Sequence, residues 1–189
     1  MSRLIYIVGP SGAGKDSLLA WLRANLPPQA PVHLARRTVS RPAQAGGEPH
    51  ESVDAGEFED LRARSAFVFD WAANDLRYGI REAELAPLEH GAWVLVNGSR
   101  AHLPQAARKF PGLTVLHITA SPDTLRQRLL SRGRESLEMV EARVARAARL
   151  ACPAGIGTIE IRNDSTLDAA GAQLLAALER LEGWPRKVA

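Results

Sequence analysis

A single cysteine, Cys152, leaves the chain without any internal disulfide, which fits a reducing compartment. Cys152 reads as a small apolar filler rather than a nucleophile. No apolar run approaches the roughly 20 residues that a membrane-spanning helix needs, so no membrane partner is expected. The chain is expected to open directly on an apolar strand without a signal peptide, and the expected location is the cytoplasm. Five histidines, at positions 33, 50, 90, 102 and 117, include no pair at metal-ligand spacing, which argues against a zinc site. Formal net charge is only +3, and no dense basic stripe marks the chain as a nucleic-acid binder. Lysine is scarce. Lys15, Lys109 and Lys187 are the only three, so 21 of the 24 basic residues are arginine, the side chain suited to bidentate phosphate recognition. There is no internal repeat and no low-complexity tract. At 189 residues and 46% apolar composition, one compact domain spanning 1–189 is expected.

What the chain does have is concentrated near its start. Gly9-Pro10-Ser11-Gly12-Ala13-Gly14-Lys15-Asp16-Ser17 follows the apolar run Leu4 to Val8 and precedes an amphipathic stretch with Leu18, Leu19 and Leu22 at helical spacing. Strand, glycine-rich turn and helix together are the context of a phosphate-binding loop. The glycines let successive N–H groups point inward as a cationic nest. The following helix adds its N-terminal partial charge, and Lys15 can reach the outer phosphates of a nucleoside triphosphate. Asp16 stands where such loops usually carry a Ser or Thr that holds magnesium.

Beyond the loop, short apolar runs alternate with amphipathic helical stretches. Strands are expected over 32–35, 67–72, 92–96, 113–119 and 158–161. Helices are expected over 56–64, 81–90, 99–110, 121–131, 137–150 and 167–181. Segment 36–54 is polar and rich in Gly and Pro, and reads as a long loop. This alternation predicts an α/β fold: a mostly parallel sheet with helices on both faces, and ligands outside the carboxyl ends of its strands.

Two arginine clusters and one absence complete the pattern. Arg36, Arg37 and Arg41 lie in the long loop, either as a clamp for the phosphate of a second substrate or as scattered charge in solvent. Arg128, Arg132 and Arg134 lie at and beyond a helix end, either as a hinged set that closes over phosphates or as helix C-terminal caps. Arg143, one helix on, joins this set or stands exposed. The strand around Trp93 to Asn97 carries no carboxylate, although phosphate-loop enzymes commonly place a magnesium-holding acid there. Asp16 is therefore the candidate magnesium ligand, directly or through water.

These residues resemble the guanylate kinases over nearly the whole chain. The likeness is carried by the phosphate loop, the arginine loop ending in Gly47-Glu48, Trp71-Ala72, Tyr78-Gly79 and the Arg128-Leu129 … Arg132-Gly133 joint. Within that group the chain looks most like the ribose 1,5-bisphosphate phosphokinases. Asp16-Ser17, Arg37-Thr38, Ser40-Arg41-Pro42, Gly46-Gly47-Glu48 with His50, Tyr78-Gly79-Ile80 and Val96-Asn97-Gly98-Ser99-Arg100 carry that narrower likeness. It implies ATP-dependent phosphorylation of ribose 1,5-bisphosphate to 5-phosphoribosyl 1-diphosphate in phosphonate breakdown, with ATP and magnesium, by a monomer or homodimer. It further implies that Gly9 to Ser17 and Asn163 bind ATP, and that Lys15, Arg132 and Arg134 act on the migrating phosphoryl group. By the same likeness Arg37, Arg41, Glu48, Tyr78 and Arg143 meet the phosphorylated sugar, with 36–80 as the acceptor region and 131–137 as a lid. Guanylate kinases follow Tyr-Gly with small hydroxyl residues that help read guanine, where this chain has Ile80-Arg81. Asp70 stands where they place a base-reading glutamate, so GMP is the alternative acceptor. A non-catalytic binding module is the second alternative, but such modules typically lose the loop lysine and glycines that this chain keeps.

Overall fold

The computed structural model describes residues 2–41, 50–133, 136–149 and 157–186; Glu48, Arg134 and Cys152 lie outside them. In chain order the first elements are β1 (Leu4–Val8), α1 (Lys15–Asn25), β2 (Val32–Ala35), β3 (Arg37–Val39), β4 (His50–Ser52), α2 (Ala55–Ala63), β5 (Phe67–Ala73) and β6 (Leu76–Arg81). Two 3-10 turns follow, Glu82–Glu84 and Ala86–His90. Then come β7 (Trp93–Asn97), α3 (Leu103–Lys109), β8 (Thr114–Thr119), α4 (Pro122–Ser131), α5 (Leu137–Arg149), β9 (Thr158–Arg162) and α6 (Leu167–Leu178).

A five-stranded sheet runs in the order β2-β7-β1-β8-β9, with every pair parallel. All five residues of β1 are buried, as a central parallel strand covered on both faces requires. Side-chain alternation divides them. Ile5 and Ile7 join Leu18, Leu19 and Leu22 of α1, Leu125 and Leu129 of α4, Val140 and Val144 of α5, and Leu174 of α6. Leu4, Tyr6 and Val8 face the opposite layer, with Leu103 and Ala106 of α3 and Phe69, Trp71 and Ile80 of the second sheet. That second sheet has the order β4-β3-β6-β5.

The structure departs from the sequence expectation at several elements. Segment 36–54 is not wholly a loop, because β3 and β4 lie within it and pair with each other, and β3 also pairs with β6. Three-residue strands have no periodicity to read; β4 takes its bonds from β3, and β3 takes the rest of its own from β6, far along the chain. Leu76–Arg81 is a strand because Asn74 (φ 50) and Asp75 (φ 59) form a two-residue turn with both central residues left-handed, the geometry that closes a tight hairpin. The helix expected over 81–90 is instead two 3-10 turns. Pro87 has no N–H to donate and its ring blocks continuation of an α-helix. The helix expected from Ser99 begins at Leu103, where Pro104 occupies the first turn.

The α1–α6 contact depends on one glycine. A helical Gly costs about 1 kcal/mol relative to Ala, so Gly171→Ala would stabilise if there were room for a methyl group. Here a Cβ would lie 2.3 Å from the Trp21 ring, and Trp21 Nε1 donates to Asp168 Oδ1 at 2.7 Å, which holds the indole in place. Gly171→Ala is therefore expected to destabilise by ~1–3 kcal/mol. A thermal melt at or above that of the wild type would show that Trp21 moves aside freely.

Candidate active site

The phosphate loop leaves the end of β1 between β7 and β8, at the carboxyl edge of the parallel sheet, where open α/β sheets hold their ligands. Gly9 passes so close to β8 that a Cβ would lie 2.2 Å from Ile118 O. Gly12 (φ 87) and Gly14 (φ 84) are left-handed, a region other residues enter only with strain. Gly14 is also the N-cap of α1, so the first N–H groups of the helix open at the loop. Lys15 Nζ donates to Gly9 O at 2.9 Å and Pro10 O at 3.1 Å, which places the ammonium over the loop itself.

Three elements distant in sequence converge on this loop. From α4, Arg128 Nη1 donates to Gly12 O at 3.5 Å. From α5, Arg143 Nη1 donates to Ser11 Oγ at 3.0 Å. From the end of β9, buried Asn163 donates Nδ2 to Ala13 O at 2.8 Å. Asn163 Oδ1 has no hydrogen-bond partner among the described residues. A cleft of about 260 Å³ opens beside it, lined by Gly12, Gly14, Ser17, Arg128, Arg132 and Asn163. A larger cavity of about 460 Å³, between the end of α1 and β2, contains none of the expected site residues.

The facing wall comes from the second sheet. Arg37 at the start of β3 lies over the Tyr78 ring, 5.6 Å from its centroid, and Nη2 is 4.0 Å from Asp16 Oδ1. Tyr78 stacks on Trp71 at 5.6 Å and 5°, and Trp71 stacks on His102 at 5.6 Å and 29°. Tyr6 Oη and His102 Nδ1 are 3.0 Å apart. Burial lowers the His102 pKa against the opposing pull of Asp70, so the stack is uncharged at its base near neutral pH. Arg41 sits apart from this group, with Nε 3.4 Å from His50 Nε2. Arg81 makes two 2.7 Å bonds to Glu51, which also accepts from Thr38 at 2.6 Å. Burial pushes the Glu51 carboxyl up, but the bonds from Arg81 and Thr38 outweigh it and leave the group below its usual range.

Between the two walls stands Asp16. Its carboxylate is half exposed, and Oδ1 accepts from Asn97 Nδ2 at 2.8 Å. Among the described residues no three His, Cys, Asp or Glu side chains cluster as a metal site. A metal here would meet a single carboxylate.

Of the residues singled out from the sequence, the loop, Lys15, Asp16, Arg132, Arg143 and Asn163 come together on one wall, and Arg37 and Tyr78 face them. Arg41 stands off, and Glu48 and Arg134 lie outside the described residues. Sequence reasoning gave His102 no role; with Trp71 that side chain supports the Tyr78 stack. It noted the missing acid on β7 but not the use of Asn97. Alternation would have found that use: Asn97 follows Trp93 and Leu95 onto the face covered by α1, where Asp16 lies.

No protein-family model matches the chain. The ribose 1,5-bisphosphate phosphokinase PhnN of Burkholderia mallei is 42% identical over 179 residues, covering 95% of this chain and 96% of that protein. The phosphokinase of the same name from Pseudomonas paraeruginosa is 44% identical over 176 residues, covering 93% and 95%. Among solved structures, guanylate kinase from Anaplasma phagocytophilum superposes with a TM-score of 0.65 over 93% of this chain and 84% of that one, at 14% identity. The second likeness shows a shared fold. The first, near half identity along almost the full length of both chains, places this chain in the ribose 1,5-bisphosphate phosphokinase family.

Proposed function

We infer that this chain transfers the terminal phosphoryl group of ATP to the 1-phosphate of ribose 1,5-bisphosphate, giving 5-phosphoribosyl 1-diphosphate and ADP. The observation that carries this reading is the pair of facing walls: a lysine-bearing phosphate loop on one side and Arg37 over Tyr78 on the other. An oxygen of the 1-phosphate attacks the terminal phosphorus of ATP. A P–O bond forms there, the bond to the bridging oxygen breaks, and ADP leaves with that electron pair. The attacking group is already an anion, so no general base is required. Catalysis then reduces to positioning and charge stabilisation.

The residues divide this work between them. The N–H groups of Gly9 to Ser17 and the start of α1 hold the donor's phosphates. Lys15 leaves the loop carbonyls for the terminal phosphate, and Arg132 and Arg134 close over it from a lid around 131–137, while Arg143 on α5 reaches the acceptor from beside Ser11. Asn163 Oδ1, buried and unbonded, offers an acceptor to the adenine amino group. When bound, magnesium neutralises the donor's phosphates. Asp16 would hold it with phosphate oxygens and water, which suits a cation that usually takes one or two carboxylates plus substrate oxygens.

On the acceptor side, Arg37, Arg41, Glu48 and Tyr78 meet the sugar and its phosphates. Among the described residues of this region, two positions that could meet a purine edge are otherwise engaged. Ile80 is fully buried in the apolar layer, and Arg81 is committed to Glu51. Asp70 is the residue that would favour GMP. The test is ADP release with ATP and magnesium across phosphorylated acceptors, with the product trapped by a phosphoribosyltransferase. Ribose 1,5-bisphosphate is expected to exceed GMP by at least ~100-fold in kcat/KM, because a site lacking partners for a base edge discriminates strongly. Efficient turnover of GMP with none of the sugar would overturn the acceptor assignment.

A further inference from the structure

We propose that Asn97 is a positioning residue: its amide orients the Asp16 carboxylate toward the magnesium of the bound nucleotide, in place of an acid at the end of β7. The inference rests on the kinase reading above and extends it to a residue that reading does not use. Asn97 is 1% exposed and is one of three buried polar residues among those described, with Thr38 and Asn163. A buried amide is costly unless it is hydrogen-bonded, and Asn97 Nδ2 donates to Asp16 Oδ1 at 2.8 Å. Asp16 lies in the first turn of α1 on a side chain with two rotatable bonds. A donor rooted in the sheet holds that carboxylate where the loop alone would not.

The turn after Asn97 is built to keep the amide in place. Gly98 N donates to Ile7 O at 2.8 Å, and a Cβ at Gly98 would lie 2.1 Å from the Tyr6 ring. Only glycine allows this approach. Ser99 N then donates to Tyr6 Oη at 3.2 Å. Arg100 reaches across to α5, where Nη1 donates to Ala147 O at 3.2 Å. The run Asn97-Gly98-Ser99-Arg100 thus ties the loop carboxylate to the central strand and to the helix that carries Arg143. An aspartate at 97 would set two carboxylates a hydrogen-bond length apart, which repel unless one is protonated or a cation intervenes. The amide bonds the one carboxylate without adding a second negative charge beside the donor's phosphates.

The experiment is a magnesium titration of the binding of a non-hydrolysable ATP analogue, followed by calorimetry. It uses wild type, Asp16→Asn, Asn97→Ala, Asn97→Ser and the double variants Asp16→Asn/Asn97→Ala and Asp16→Asn/Asn97→Asp. Asn97→Ala is expected to raise the magnesium midpoint by about tenfold, the scale on which residues orienting a metal ligand act. The double variant with alanine should shift no further than Asp16→Asn alone, because both changes remove one interaction. Asp16→Asn/Asn97→Asp reverses the bond but leaves no carboxylate at position 16, so its midpoint should stay near that of Asp16→Asn; a return to wild type would show that a carboxylate at 97 serves the metal itself and would overturn the positioning role. A purely structural role for Asn97 would lower thermal stability in Asn97→Ala and leave the magnesium midpoint in place. If Asn97→Ala fails to fold, Asn97→Ser carries the same comparison. An Asn97→Ala midpoint within twofold of wild type, or full additivity with Asp16→Asn, overturns the inference. Wild-type protein that binds no analogue at any magnesium concentration would instead overturn the kinase reading beneath it.

Discussion

Replacing Lys15 by alanine is expected to lower kcat by at least ~100-fold, the scale of one lost charge stabiliser at a reacting centre, and to leave the fold intact. The two halves of this expectation have separate causes. Lys15 is the first residue of α1, and the helix is anchored by Leu18, Leu19 and Leu22 instead. Its Nζ bonds to Gly9 O and Pro10 O join neighbouring parts of one loop, so losing them costs little tertiary stability. The charge on the migrating phosphoryl group develops during transfer, and the ammonium meets it there. ATP affinity should therefore fall less than kcat. Steady-state ADP release and a thermal melt measure both parts. A purified variant with activity within tenfold of wild type would remove the loop lysine from the mechanism.

Arg37→Ala should separate the two substrates. The Arg37 side chain is only 15% exposed, lies against the Tyr78 ring and faces Asp16 across the cleft. A hydrogen bond to a charged partner contributes about 1.5–3 kcal/mol, which corresponds to roughly 10- to 150-fold in affinity. The acceptor KM is expected to rise within that range while ATP-analogue binding stays near wild type. Arg37→Lys should recover only part of the loss, because an ammonium lacks the planar fork that meets a phosphate and stacks on an aromatic ring. Equal weakening of both substrates would mean that Arg37 holds the second sheet in place and does not contact the acceptor.

How much of this could be read in advance followed the range of the interactions. The loop from Gly9 to Ser17 was legible because its conformation is local: left-handed glycines, one helix start and one lysine within nine residues. Strands β1, β2, β7 and β8 were legible as apolar runs, and α4 as an amphipathic stretch. The small sheet was not. Arg37–Val39 and His50–Ser52 are each too short to show alternation, and their hydrogen bonds are supplied by one another and by β6. The aromatic stack was hidden for a similar reason, since Tyr78, Trp71 and His102 come from a hairpin and the turn before α3.

The sequence by itself therefore determined the chemistry of the donor side, since a phosphate loop needs little more than its own glycines, its lysine and the helix that follows. Only the tertiary structure decided what opposes it. Asp16 and Asn97 meet across 81 positions of sequence, and Arg37 meets Tyr78 through the pairing of β3 with β6. Such contacts depend on the order of strands in a sheet and on which face each side chain takes. Those are set by the packing of both apolar layers together, and no single segment carries them.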